Sequence, residues 1–251
     1  MTEPKGRRYG IIDAARAVAI INMTAYHLCY DIFVVFGVWT GFYQSVPVMI
    51  WERFICCSFI MISGISLNFT RRGYFRGITV SLCGLAISLV MLIFMPEEMI
   101  WCGILSFLGA AMLITYALRG VLNKVPAAIG AGISLLLFIM SYGIPSGYIG
   151  ILTYPLIKLP AAVYNLKRLA FLGFPSNDFY SSDYFPLLPW IFLFIFGYLL
   201  WRVIKNKGLD RYLYKEIPVL GFIGRHSLFI YMVHQPVLYG ICYIVFLLIN
   251  K

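Results

Sequence analysis

Apolar runs of about 20 residues, separated by short charged stretches, repeat along the chain, which is the length a helix needs to cross the hydrocarbon of a bilayer. Spans fall at residues 11–31, 47–70, 77–95, 100–118, 126–142, 184–203 and 224–249. No stretch sustains the apolar–polar alternation of a transmembrane β-barrel strand. The pattern predicts an all-α, polytopic membrane helical bundle of seven transmembrane helices, one domain over residues 1–251. A long outer loop, residues 143–183, separates helices five and six. Its middle, "AAVYNLKRLAF", sets Leu166, Leu169 and Phe171 among Lys167 and Arg168, as in a helix lying at the membrane interface.

Composition agrees with a bilayer solvent: 61% of residues are hydrophobic, 12% are charged, and mean hydropathy is +0.86. Of the 20 Lys and Arg residues, 14 fall on one side of the predicted spans, including Lys5, Arg7 and Arg8, the Arg71–Arg72–Arg76 loop, and the stretch from Arg202 to Arg225. Only four, Lys158, Lys167, Arg168 and Lys251, fall on the other. By the positive-inside rule the N-terminus is cytoplasmic and the C-terminus outside. The net charge of +10 is then a topology signal meeting lipid head groups, and no nucleic-acid partner is expected. No small-residue cleavage site follows the first apolar run, so it reads as a retained helix and not as a signal peptide. The six cysteines lack metal-ligand spacing and read as small, soft core residues, with no metal expected.

One span keeps residues that a bilayer disfavours. In "IIDAARAVAIINMTAYHLCYDIF", residues 11–33, Asp13, Arg16, Ile20, Thr24, His27 and Asp31 lie within roughly 60° of one line down a helix, while Asn22 points elsewhere. Asp13 and His27 are roughly 21 Å apart along that axis, so the stripe runs through most of the membrane. An ionisable group near the bilayer centre costs about 2.5–3.5 kcal/mol even on lenient scales, so such groups face a bundle interior or a wet cavity. Asp13 and Arg16, one turn apart, also suit a simple ion pair near the interface. His27, with a carboxylate one turn on at Asp31, has the makings of a general base held by an acid.

Four other segments carry signal. "SFIMISGISLNFTRRG" places Ser63, Gly64 and Ser66 on a small-residue face for close helix packing. At its end, Arg71 and Arg72 are topology signals that also suit phosphate binding. "DYFPLLPWIFLFIFGYLLW" opens the sixth span with Asp183, Pro186, Pro189 and Trp190; the prolines and the tryptophan suit a helix start at the interface, and Asp183 among aromatics also suits a sugar-binding lip. "GRHSLFIYMVHQPVLYG" puts Ser227, Tyr231, His234 and Gln235 on a second polar face ahead of Pro236, where a kink is expected.

These segments together resemble a known family. "DAARAVAIINMTAYH" is similar to the first-helix signature of the transmembrane acyltransferase superfamily, Asp, then Arg three residues on, then His fourteen residues after the Asp. "HLCYD", "FIMISGISL", "GILSFLGAAML", "DYFPLLPW" and "GRHSLFIYMVHQPV" look like the bacterial branch related to heparan-alpha-glucosaminide N-acetyltransferase. Ala17 and Ser106 depart from the glycine and histidine that many relatives have at those places. The resemblance implies transfer of an acetyl or other acyl group from cytoplasmic acyl-coenzyme A to an extracytoplasmic sugar or glycolipid, in a bacterial plasma membrane. It carries over His27 as base, Asp31 as its orienter, and Asp13 and Arg16 as supports of the coenzyme path; Arg71 and Arg72, by their charge alone, suit phosphates beside the mouth of the stripe. On the acceptor side stand Asp183, Trp190, His234 and Gln235.

Acyl-CoA is the only cofactor this reading calls for, since a thioester is already activated and needs no metal. A homodimer stays open. A proton-coupled transporter or flippase with a His27, Asp31 and His234 relay is the competing class, although no internal repeat of the transporter kind is found. A non-catalytic membrane partner in glycan assembly is the third.

Overall fold

The computed structural model describes residues 8–249, so Lys5, Arg7 and Lys251 lie outside the described residues. In chain order the elements are α1 (Gly10–Tyr30) with a π-helical turn (Asp31–Val35), α2 (Thr40–Tyr43), α3 (Val46–Leu67), α4 (Gly73–Phe94), α5 (Ile104–Leu122), α6 (Ala127–Ser141), β1 (Tyr148–Ile151), β2 (Tyr154–Lys158), α7 (Ala161–Tyr164), α8 (Leu187–Asn206), α9 (Pro218–Arg225) and α10 (Ser227–Ile249). Among the described residues, seven helices are long and apolar enough to cross a membrane: Gly10–Val35, Val46–Leu67, Gly73–Phe94, Ile104–Leu122, Ala127–Ser146, Leu187–Asn206 and Ser227–Ile249. The expected seven-helix bundle is therefore present, with each span displaced by a few residues at most.

The displacements have local causes. The fourth span begins at Ile104 instead of residue 100, because Cys102 takes φ +57 and the chain turns there. The seventh begins at Ser227, because the helix ends at Arg225 and His226, with φ −98 and ψ 12, separates α9 from α10. Helix α10 is continuous through Pro236. In the long loop the helical middle reduces to the four residues of α7 and a 3-10 turn, Lys167–Leu172. Ahead of it stands an antiparallel hairpin, β1–β2, that the hydropathy pattern does not predict. A tight bend at Leu152 (φ +52) allows "YIGILTYPLIK" to fold back on itself, and one at Gly147 (φ +89) turns the chain into β1.

The chain divides into two compact units, the described residues to Ile62 with those from Lys207, and Ser63–Asn206. The division falls inside α3.

In the first unit α1 packs on α9 and α10. Ile20, Met23 and Ile55 form its buried core, with Trp51, Phe59, Ile223 and Ile230 packed around them. Two glycines permit the close approach: a Cβ at Gly224 would lie 1.9 Å from the Asp13 carbonyl oxygen, and one at Gly10 would lie 2.5 Å from that of Lys215. Asn22, off the stripe, accepts a hydrogen bond from Trp51 Nε1 at 3.0 Å. Trp51 is thus tied inward to α1.

In the second unit α4 packs on α5 and α6 on α8. Gly64 meets α8 so closely that a Cβ would lie 2.1 Å from the Phe194 carbonyl oxygen, the close packing expected of the Ser63, Gly64, Ser66 face. Gly77, Gly84 and Gly109 do the same between α4 and α5, and Ser106 is one of the groups that Gly84 accommodates.

Candidate active site

The stripe on α1 turns toward α9 and α10 and not toward lipid. At its start Arg16 Nη1 donates to Asp13 Oδ1 at 2.9 Å and to the Gly224 carbonyl at 3.3 Å. Gly224 brings the α9 backbone within reach of the guanidinium, so the pair expected from its one-turn spacing is also a clamp between helices. Beside it, Arg8, Gly10, Asp13, Glu216, Ile217, Pro218, Gly221 and Arg225 line a cavity of ≈ 150 Å³. Arg8 and Arg225 read in the sequence as topology signals only; the glycine pair Gly221 and Gly224, three apart on α9, was the sign of a close helix contact here. Further along, Thr24 Oγ1 is satisfied within its own helix by the Ile20 carbonyl at 2.9 Å.

Near the end of α1 two polar faces meet. The His27 ring stands edge-on to that of His234, centroids 4.9 Å apart. One turn on, Asp31 has none of its surface exposed. Its Oδ1 accepts a hydrogen bond from Gln235 Nε2 at 2.7 Å. The expected Asp31–His27 pairing is therefore not the contact seen: Asp31 goes to Gln235, and the neighbour of His27 is His234. Asp31 itself keeps the α-helical backbone, with φ −58 and ψ −51 and its N–H on the His27 carbonyl, and opens a π turn in which Phe36 N–H bonds back to the Asp31 carbonyl at 2.9 Å. Single π turns inside α-helices recur at functional sites.

The hydrogen bonds also set the chemistry of the layer. His234 Nδ1 lies 2.6 Å from the Tyr231 carbonyl oxygen. A carbonyl only accepts, so Nδ1 carries the hydrogen and the neutral ring presents a lone pair at Nε2. That Nε2, Asp31 Oδ2 and Gln235 Oε1 are buried with no partner among the described residues. All three are acceptors. Buried acceptors left unmet cost about 1–3 kcal/mol each, so the layer is built to receive O–H or N–H donors. Tyr26 stands beside His27, centroids 5.8 Å apart, and itself packs on Tyr43 at 5.2 Å and Trp51 at 5.5 Å. Beyond the span, burial and a hydrogen bond with Tyr26 raise the Tyr43 phenol well above its usual range, so it stays a neutral hydroxyl.

The remaining expected residues lie in the second unit. Asp183 Oδ2 accepts from the backbone N–H of Ile104 at 3.0 Å, the first residue of α5. Trp190 is 4% exposed and packs its ring on Phe138, Tyr142 and Phe185. The expected interface tryptophan is thus a core residue. Arg71 and Arg72 are both exposed, Arg72 as the residue before α4.

Searches of curated proteins and of solved structures return no match. A family model described as "Heparan-alpha-glucosaminide N-acetyltransferase, catalytic" matches residues 8–236, which includes α1, the polar layer of His27, Asp31, His234 and Gln235, and every span but the last half of the seventh. The chain therefore belongs to the family of membrane acetyltransferases that carry the heparan-alpha-glucosaminide N-acetyltransferase catalytic domain.

Proposed function

We propose that this protein moves an acetyl group from cytoplasmic acetyl-CoA to a hydroxyl or amine of a carbohydrate or glycolipid acceptor on the far side of the plasma membrane. The observation that carries this reading is the buried layer of three unmet acceptor atoms, on Asp31, His234 and Gln235, beside His27. An acceptor substrate brings the missing donors.

His27 takes the proton from the attacking hydroxyl or amine. The nucleophile adds to the thioester carbonyl, the carbon–sulfur bond breaks, and the coenzyme thiolate leaves with the proton held on the His27 imidazolium. His234 serves the imidazolium as a neighbouring lone pair, the supporting part first expected of Asp31. Asp31 and Gln235 hold the acceptor in place. At the cytoplasmic end, the Asp13–Arg16 pair frames the entry of the pantetheine arm. The cavity beside it, of ≈ 150 Å³, suits one phosphate group and not a whole coenzyme, with Arg8 and Arg225 as its cations. Arg71 and Arg72, in the loop before α4, are the phosphate contacts that the second unit offers. On the acceptor side Asp183 and Trp190 act as frame: the first caps α5 and the second fills the aromatic core around it.

The test is coenzyme A binding and acetyl transfer by the purified protein, with isotopically labelled acetyl-CoA and a panel of amino sugars and glycolipids. Labelled acceptor is the expected product. Folded protein that binds no coenzyme A would count against the reading and favour a proton relay for transport.

A further inference from the structure

The long connection after α6 carries an apolar surface that the transfer reaction does not use. In the β1–β2 hairpin, Ile151 is 56% exposed, Tyr154 69%, Leu156 57% and Ile157 63%. Every residue of β2 is exposed. In water this would be a costly patch and an invitation to aggregate.

The backbone places the hairpin at a definite depth. Leu152 N–H, at its tip, bonds the carbonyl of Ile139 at 3.0 Å, in the last turn of the spanning helix α6. At its base, Tyr148 N–H bonds the Gly143 carbonyl at 3.1 Å and Leu159 N–H bonds that of Gly147 at 2.8 Å. Ile139 and Gly143 are one turn apart, so the tip sits about 5 Å nearer the bilayer centre than the base. The chain leaves the span, then folds back down beside it. The exposed face of α6, with Ile129 60%, Ile133 52% and Leu136 55% exposed, runs toward that tip. Lys158 pairs with Tyr148 at the opposite, base end of the hairpin, the level of lipid phosphates.

We infer that the β1–β2 hairpin is seated in the lipid interface: its tip and β2 face lie against acyl chains, continuing the lipid-facing surface of α6, and Lys158 meets head-group phosphates. The hairpin thereby moors the start of the connection between α6 and α8 to the membrane surface. The inference does not depend on the transfer reaction.

The native protein in vesicles of phosphatidylcholine and phosphatidylglycerol is treated with a carbene precursor dissolved in the lipid, and separately with a water-soluble one. Labels are read by peptide mass spectrometry. The peptide carrying residues 151–157 should take several-fold more lipid-borne than water-borne label, as the α6 peptide does. Labelling chiefly from water, as expected of residues 207–216, would overturn the inference. So would protection from both reagents, which would mean a protein covers the patch. In a Leu156→Asp, Ile157→Asp variant the lipid-borne label should fall several-fold while α6 keeps its own, which distinguishes loss of seating from loss of fold.

Discussion

Asp31 is a carboxylate without exposed surface whose described hydrogen bond comes from one amide, that of Gln235. This separates two substitutions. Asp31→Asn keeps an oxygen for Gln235 Nε2, so stability should change little while transfer drops. Gln235→Leu strands the carboxylate and should cost about 1–3 kcal/mol, seen as a lower midpoint of thermal unfolding in detergent. His27→Ala should reduce turnover by about 10²–10⁴-fold with coenzyme A affinity kept, the loss expected for a missing general base. Near-normal turnover in that variant would remove His27 from the chemistry. The residue types at this layer were legible in the sequence, since charged and imidazole groups in a span are costly and need a reason. Their pairing was not, because it depends on which face α10 presents to α1.

At the scale of elements, α9 is held on α1 by the absence of a side chain. Gly224→Ala would put a methyl group 1.9 Å from the Asp13 carbonyl oxygen, so α9 must move away and the Arg16 bond to the Gly224 carbonyl must open. A cost of about 1–3 kcal/mol or more is expected, together with weaker coenzyme A binding if that end receives the donor. Gly132→Ala is the control within α6: nothing lies within 4 Å of the added carbon, and helix propensity favours alanine by up to about 1 kcal/mol. Unfolding midpoints that move the same way in both variants would contradict this packing. Hydropathy located the spans to within a few residues, yet it left the hairpin inside a long loop, because the bend at Leu152 that pairs the two strands has no hydropathy signature.

For the whole molecule, the charge of the loops predicts an N-terminus in the cytoplasm. Cysteines placed at positions within 175–182 should react with an impermeant maleimide in intact cells, and those within 207–216 only after permeabilisation. The reverse pattern would invert the protein and move the donor side with it. The family match over residues 8–236 carries the acetyltransferase assignment but says nothing of orientation, which rests on charge alone.

Sequence by itself determined the bilayer as solvent, the seven spans, the acetyltransferase family and the residues of the polar layer. Each of these follows from local cost: apolar length, charge near the bilayer centre, and a motif along one helix. Tertiary structure alone decided that His27 faces His234, that Asp31 bonds Gln235, that Trp51 is tied to Asn22, and that Asp183 and Trp190 are spent on a helix start and a core. Those outcomes depend on which backbones can touch. That is set in part by glycines at contact points, which hydropathy does not register.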